Sequence, residues 1–577
     1  MSMKRWHVAE PVPAKVRQEF PELHPIALQL LWNRGLTTQA AMDAFLNPEW
    51  SSTLHDPFAF ADMRKAVDRI YVAIKKQESI IVHGDYDADG VCSSAILFTT
   101  LKALGAKVDV YLPHREREGY GLNLQTIDHL HDVHKATLVV TCDCGTSNVD
   151  EVARAAELGM DVIITDHHHE PPKRPKAYAL INPQLHDSGY PYPDLAGSGV
   201  AFKLAQALIH DAPGQTIGSQ PKEAFEKWLL DYVAISTVTD FMPLTGENRT
   251  LETFGLIVLR KSPRPGIRAL CEVMSARQES IDTTTIGFQI GPRLNAAGRM
   301  DHASTAFRLL VSEDLEEARA IASALNQSNT ERQKLTETIV QQAKKSIGPV
   351  TDDRKILVAH GDGWPVGIVG LVAGRIMDEF HRPVLVMSNH EGEVVGSGRS
   401  IAPYDITEAL KRHQELLKRF GGHAAACGFT MDAANADAFA KGMIEDASTR
   451  ITDADLVDEL TIDASVHLPD VNWDLLDVLE KFEPFGEDNP KPLIACQGMV
   501  ITELQPVGKE GKHLRIVVNH VVPEPRKFIA FGGGAKYGQL LSVGDKIDAV
   551  FTIDRNEWNG TRELQLKVVD LKLSDET

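Results

Sequence analysis

Three stretches of the chain place carboxylates and imidazoles directly after apolar runs. Gly84-Asp85-Tyr86-Asp87-Ala88-Asp89-Gly90 follows Ser79–His83, Asp143 follows Thr137–Cys142, and Asp166-His167-His168-His169 follows Asp161–Thr165. Carboxylates gathered in one place repel one another unless cations neutralise them, so the set predicts a metal centre. Mixed Asp and His ligation suits Mn²⁺ or Mg²⁺ better than a closed zinc site built on thiolates. Asp240, closing the apolar helix at Thr237-Val238-Thr239, is a fourth contributor. With this many ligands, two ions ~3.5–4 Å apart are expected, an arrangement that serves phosphoryl hydrolysis.

Each piece alone has a plainer reading. Asp-x-Asp-x-Asp-Gly resembles the start of a calcium loop, but a strand precedes it and the closing Glu is missing. A single Asp after a strand often caps a turn or a helix, and a His triplet can be a solvated loop. Their conjunction is what points to metal chemistry. Cys142 and Cys144 flank Asp143 and are expected as small buried hydrophobes rather than ligands.

The elements that must position these residues alternate. Strands at 79–83, 107–112, 137–142, 161–165 and 178–181 are separated by helical segments at 91–104, 124–134 and 149–158, which predicts a parallel sheet covered by helices. Ligands bind at the carboxyl ends of strands in such sheets, where all three acidic stretches fall. Beyond Pro193 the pattern turns helical, and 313–346 reads as a long polar connecting helix. A second α/β pattern runs from Lys355 to about Arg450. The remainder is short strands with a hairpin turn at Trp558-Asn559-Gly560, which predicts a small β-barrel, best matched by an OB-fold. The expected organisation is an N-terminal extension over 1–50, a catalytic α/β domain over 51–310, a connecting helix over 311–348, a second α/β domain over 349–452 and a β-domain over 460–577.

Composition bounds the class. With 60 basic and 80 acidic residues the net charge is −20, which disfavours loose adhesion to nucleic acid but not a local basic groove or metal bridging. Hydrophobic residues at 43% and charged residues at 24% are globular usage. Six cysteines without a Cys-x-x-Cys pair give no disulfide framework. Neither a membrane-length apolar run nor a signal-peptide core is evident, so a soluble cytoplasmic protein is expected.

Several motifs offer phosphate contacts. Arg293 and Arg299 flank a turn rich in Gly and Ala, with Asn295 between them, where guanidinium groups would pair bidentately with a phosphate. As an alternative they are surface arginines capping a helix. Gly396-Ser397-Gly398-Arg399-Ser400 and Gly421-Gly422-His423 offer backbone N–H groups beside polar or cationic side chains. In the β-domain, Lys512, His513, Arg515 and Trp558 are candidates for holding a strand, with a plain hairpin turn the stronger reading of Trp558.

These motifs together resemble a known family. Asp85 to Gly90, Asp143 and Asp166-His167-His168 resemble the signature of the DHH phosphoesterases. Gly421-Gly422-His423-Ala-Ala-Ala-Cys-Gly428 resembles the glycine-rich motif of their DHHA1 substrate domain. Gly119-Tyr120-Gly121-Leu122, Gly291-Pro-Arg-Leu-Asn-Ala-Ala-Gly-Arg299 and the β-domain narrow the resemblance to the RecJ single-stranded-DNA exonucleases, over about residues 20–577. It implies a metal-dependent enzyme that degrades single-stranded DNA from the 5′ end to mononucleotides, in recombination and repair, with Mn²⁺ or Mg²⁺. It further implies a monomer, fed by a single-strand-binding protein or a helicase.

By that resemblance Asp87, Asp89, Asp143, His167 and Asp240 match metal ligands, with Asp85 and His168 in or beside their shell. His83 matches a ligand of some relatives, with strand-end packing an equal alternative. Arg115 matches a residue that holds the 5′-phosphate, and Tyr120 sits where a ring would stack on or block a base. The implied reaction is two-metal hydrolysis by a bridging water, with His168 polarising the leaving group or the scissile phosphate. One departure stands out: Cys144 replaces the family's usual Asn after the metal-binding Asp, removing an amide that could orient it. The rival readings are a DHH–DHHA1 phosphodiesterase acting on short oligonucleotides or cyclic dinucleotides, and a non-catalytic scaffold descended from such a nuclease. The added β-domain argues against the first, and the full set of Asp and His residues against the second.

Overall fold

The structure is a computed structural model that describes residues 4–115, 117–390, 392–519, 525–558 and 560–574. The chain forms two compact units, one of residues 48–456 with 486–488, the other of residues 1–47, 457–485 and 489–577.

In the first unit, β1 (Ser79–Gly84), β2 (Lys107–Tyr111), β3 (Leu138–Cys142), β4 (Asp161–Thr165) and β5 (Ala179–Ile181) form a parallel sheet in the order β2-β1-β3-β4-β5. The apolar runs of β1 and β3 are continuous because both faces are covered. Ile80, Val82, Leu138 and Val140 enter one core, while Ile81 and Val139 enter another on the opposite face. Register does the positioning: Gly84 pairs with Cys142 and Cys142 with Thr165, so Asp85, Asp143 and Asp166 all leave the sheet at one edge.

The helices around this edge are α1 (Ala88–Ala103), α2 (Gly197–Asp211), α3 (Leu230–Thr239) and α4 (Gly291–Met300). The segment around Arg293 and Arg299 is therefore helix rather than turn, as Pro292 at its start and Ala296 and Ala297 within it favour. Its small residues permit close approach: a Cβ on Gly298 would lie 2.4 Å from Tyr86 O. Helix α5 (Leu315–Ile347) buries Ala318, Ile321, Ala322 and Leu325 in one core and Ile339, Val340, Ala343 and Ile347 in another, so its apolar stripe joins two cores.

The second sheet comprises β6 (Leu357–Asp362), β7 (Val384–His390), β8 (Glu393–Arg399), β9 (Arg419–His423) and β10 (Ala426–Asp432), in the order β9-β10-β8-β7-β6, with α6 (Val366–Phe380) connecting β6 to β7. Both glycine-rich motifs expected to offer backbone N–H groups lie on paired strands. Strand β8 is paired on both sides, so Gly396–Arg399 contribute side chains rather than free N–H groups. Gly422, paired with Cys427, has φ +146°, and a Cβ there would lie 2.2 Å from Ala426 O.

In the second unit, β11 (Ile494–Val507), β12 (His513–Asn519), β13 (Arg526–Ala530), β14 (Lys546–Trp558) and β15 (Thr561–Leu573) pair in the order β11-β12-β13-β15-β14, and β14 returns to β11, closing the sheet on itself. Asn559 of the expected hairpin turn, and the side chain of Trp558, lie outside the described residues. The N-terminal residues are not a separate extension: Leu30, Leu31, Met42 and Phe45 share one core with the C-terminal strands, and Arg5–Val8 pairs in parallel with Glu459–Ile462. Among the described residues no helix is long and apolar enough to cross a membrane.

Candidate functional site

The edge of the first sheet gathers seven of the expected residues into three overlapping groups. Within each group ligand atoms lie no more than 4.8 Å apart: Asp143, His167 and His168; Asp89, His167 and Asp240; and Asp85, Asp87 and Asp143. His167 Nε2 is 3.1 Å from Asp143 Oδ1, 3.5 Å from Asp240 Oδ2 and 3.7 Å from Asp89 Oδ2. Asp143 and His167 each belong to two groups, which makes them the bridging members.

Local structure explains each placement. Asp87 caps α1, accepting from the amides of Asp89 at 3.0 Å and Gly90 at 3.1 Å. Asp85 turns back over that helix start, where a Cβ on Gly90 would lie 2.5 Å from Asp85 N. Asp143 leaves β3 with φ +61°, a conformation Asp tolerates better than most residues. Asp89 is held by four donors: the amides of Gly197 and Ser198 at 2.8 Å each, Ser93 Oγ at 3.2 Å, and Ser236 Oγ. Asp166 accepts from the amides of Thr146, His167 and His168 and from His168 Nδ1, the last at 2.8 Å.

The electrostatics fit divalent cations. Burial, then the charges of neighbouring carboxylates, holds Asp85, Asp143 and Asp240 well above the ordinary carboxylate range and raises Asp87 as well. Asp85 Oδ1 is buried with no hydrogen-bond partner, an arrangement that a bound cation would relieve. Asp166 is the exception: burial opposes its charge, but the hydrogen bond from His168 and the nearby imidazoles keep its carboxyl below the ordinary range. The donors are oxygens and imidazoles. Both thiols are turned elsewhere, Cys142 Sγ to Ser94 Oγ at 3.3 Å and Cys144 Sγ to His83 Nδ1 at 3.7 Å. Such a hard, mixed set fits Mn²⁺ or Mg²⁺.

His83 joins none of the three groups. It is fully buried, stacked on Tyr111, and burial lowers its imidazole to about 4. Tyr120 is 45% exposed, with its hydroxyl donating to Asp143 O at 3.2 Å and lying 3.0 Å from His168 Nδ1.

Beside the carboxylates lies a group of arginines. Arg115 stands over the Tyr86 ring at 4.7 Å. Arg299 donates to Gly367 O at 2.8 Å, and its pKa falls to about 10 through burial and the neighbouring charges of Arg115, Arg332 and Arg399. Arg399 donates to Ser397 Oγ at 3.2 Å. These like charges repel one another, and an anion between them relieves the repulsion, so the group suits a phosphate. Arg293 instead donates to Asn326 Oδ1 at 3.0 Å and Gln289 O at 2.8 Å. Asn295 accepts from the Ala88 amide at 2.8 Å, tying α4 to the acidic loop. His423 stacks edge-on with His169, ring centroids 5.9 Å apart. In the second unit His513 packs on the exposed Phe531, Arg515 is half-buried with Nε unpartnered, and Lys512 is exposed.

Sequence reasoning missed Arg332, whose buried Nε has no partner, and the donors that fix Asp89. Arg332 lies in a helix that reads only as a connector. Ser198 and Ser236 carry no local signature, since their role depends on packing between helices distant in sequence.

Comparison with known proteins matches the chain to one family along most of its length. Residues 79–237 match the DHH family, N-terminal domain, residues 353–449 the DHHA1 domain and residues 462–570 the RecJ OB domain. The chain is 34% identical to the single-stranded-DNA-specific exonuclease RecJ of Bacillus subtilis over 100% of its own length and 71% of that protein. It is 32% identical to the Escherichia coli RecJ exonuclease, covering 94% of this chain and 95% of that one. The crystal structure of RecJ from Thermus thermophilus in complex with Mn²⁺ superposes with a TM-score of 0.83 at 31% identity, over 99% of this chain and 80% of that one. The same protein in complex with Mg²⁺ gives 0.75 at 28% identity, over 99% of this chain and 79% of that one.

Proposed function

The chain belongs to the RecJ family of single-stranded-DNA-specific exonucleases, and from that premise we propose that it hydrolyses single-stranded DNA from the 5′ end to mononucleotides. The observation that carries this reading is the set of three overlapping ligand groups at one sheet edge, beside a group of arginines. Asp85, Asp87, Asp89, Asp143, His167 and Asp240 would hold two Mn²⁺ or Mg²⁺ ions. Bound there, such ions supply Lewis-acid polarisation of the scissile phosphate and a water of lowered pKa.

The chain's own groups do the rest. The four donors on Asp89 fix its orientation, so that the site is built before substrate arrives. Arg115, Arg299, Arg332 and Arg399, with Ser397 beside them, bind phosphate, and Arg115 takes the 5′-terminal one. His168, held by Asp166 through Nδ1, hydrogen-bonds the scissile phosphate or the departing oxygen. Tyr120 packs on His168 and meets the terminal base. His83 and Cys144 support the site from beneath. The closed sheet of the second unit binds single strand.

We assign residues 51–310 to the catalytic domain, 311–348 to the connecting helix, 349–452 to the substrate domain and 460–577 to the strand-binding β-domain. A cytoplasmic monomer supplied with strand by a single-strand-binding protein or a helicase completes the reading. A competition assay with Mn²⁺ tests it: a long single strand should be consumed well before a blunt duplex of the same sequence. Preference for substrates of only a few nucleotides would transfer the chain to the short-oligonucleotide phosphodiesterases.

A further inference from the structure

Two large aromatic rings on segments that adjoin the acidic centre are turned mostly to solvent. Phe241, directly after Asp240, and Phe288 are each 78% exposed. Helix α3 ends in a two-bond cap, with the Phe241 amide donating to Val238 O at 3.3 Å and the Met242 amide to Thr237 O at 3.1 Å. That cap needs left-handed backbone at its first residue past the end, and Phe241 has φ +55°. Glycine takes this position without steric cost, whereas a bulky side chain is strained there. Other helix ends of this chain place Gln77, Ser275 and His381 in left-handed backbone; Phe241 differs in putting a large apolar ring there, turned to water, and strain of this kind gathers at functional contacts.

Phe288 carries the second sign. It lies in a π-helical turn, Ile286–Ile290, running into α4, and single π-turns inside helices gather at functional sites. The two segments are packed together: a Cβ on Gly291 would lie 2.4 Å from Thr239 Cγ2, and one on Gly287 would lie 3.6 Å from Val238 Cγ1. Both rings therefore rise from one seam. At one end that seam continues into Asp240 of the ligand groups, and at the other into the helix bearing Arg293, Asn295 and Arg299.

We propose that Phe241 and Phe288 form a stacking platform for bases of the single strand as it approaches the centre; this rests on the strand-hydrolysis reading above. Continuity with the carboxylates and arginines selects the occupant, because a strand whose phosphates meet these arginines brings its bases to the adjoining surface. Stacking on an aromatic face is indifferent to sequence, as an enzyme that must traverse any strand requires. Duplex keeps its bases stacked on one another and cannot offer them, so the platform adds a preference for single strands.

The test uses the full chain with Mn²⁺ and two 5′-phosphorylated strands of equal length, one normal and one with abasic sugars in its interior. In the wild type the abasic strand should raise KM about tenfold, the effect of losing a stacked base. In the Phe241→Ala/Phe288→Ala double variant, KM for the normal strand should itself rise about tenfold or more, and the abasic penalty should shrink to less than about twofold. Phe241→Gly separates stacking from strain: its thermal midpoint should rise while KM rises as for alanine. Phe241→Trp should keep the low KM and show tryptophan fluorescence quenched by the normal strand but not by the abasic one. A double variant with wild-type KM and an undiminished abasic penalty, or a tryptophan blind to the difference between strands, would overturn the platform. A wild type that hydrolyses neither strand would instead overturn the reading beneath it, and the fluorescence comparison would still judge the platform.

Discussion

Gly197→Ala isolates the preorganisation of the site. The Gly197 amide donates to Asp89 Oδ2 at 2.8 Å, and a Cβ at this position would lie 2.7 Å from Asp143 Cβ, 2.9 Å from Asp89 Oδ2 and 3.0 Å from Asp143 Oδ1. Opening the shortest of these to an ordinary 3.4 Å contact requires a shift of about 0.7 Å, shared between two carboxylates that belong to different ligand groups. Displacements of this order at a reacting centre cost about 100-fold in rate. Folding should be little affected, because alanine at the start of a helix gains up to about 1 kcal/mol over glycine and offsets part of a steric cost of about 1–3 kcal/mol. The comparator is Gly199→Ala in the same helix, whose Cβ would meet Leu195 at 3.2 Å and no carboxylate. Initial rates of nucleotide release at saturating strand and Mn²⁺, beside calorimetric midpoints, should show Gly197→Ala slowed about 100-fold and Gly199→Ala within a few-fold of wild type. A Gly197→Ala enzyme within about threefold of wild type would refute the claim that close packing around Asp89 and Asp143 sets the geometry.

Other consequences can be measured separately. Ser236→Ala removes a hydroxyl donor from Asp89 and should weaken Mn²⁺ binding by calorimetry about 10- to 100-fold, with the fold intact. Lys203 and Glu247 form a wholly buried ion pair at 2.6 Å, so Lys203→Met should lower stability to denaturant by about 3–5 kcal/mol, because it strands a buried carboxylate. Glu252 is buried with both carboxyl oxygens unpartnered, and burial holds its pKa well above the ordinary value. The folded state keeps this proton while the unfolded chain releases it, so the associated penalty is absent below about pH 4.3 and grows as pH rises above it. Glu252→Leu should therefore be more stable than wild type by a margin that widens between acid and neutral pH, and a constant or negative margin would count against a neutral buried carboxyl.

The parts of the fold visible in the sequence are those whose signal is local. Strands β1 and β3 read as continuous apolar runs because both faces are buried, and the acidic loops stand out because each follows such a run. What escapes the sequence depends on contacts between distant segments. Arg5–Val8 pairs with Glu459–Ile462, and nothing in four residues of strand names a partner at the other end of the chain. Ser198 and Ser236 reach Asp89 only because α2 and α3 pack on α1. The glycine-rich stretches read as sources of free backbone N–H groups, because glycine marks both open phosphate-binding turns and strands that must pass close to neighbours. Gly396, where a Cβ would lie 2.2 Å from the Phe429 ring, is the second kind.

If the carboxylate–histidine groups at one sheet edge are a cation-dependent centre that consumes single strands from the 5′ end, both the cation and the end of attack can be read in one experiment. Protein stripped with a chelator, then returned to Mn²⁺, should be given one oligonucleotide labelled at either end, alongside Asp143→Ala. The 5′ label should appear first, as mononucleotide, only after Mn²⁺ is restored, and not with the folded variant. Hydrolysis without divalent cation, hydrolysis retained by Asp143→Ala, or first release of the 3′ label would contradict the account.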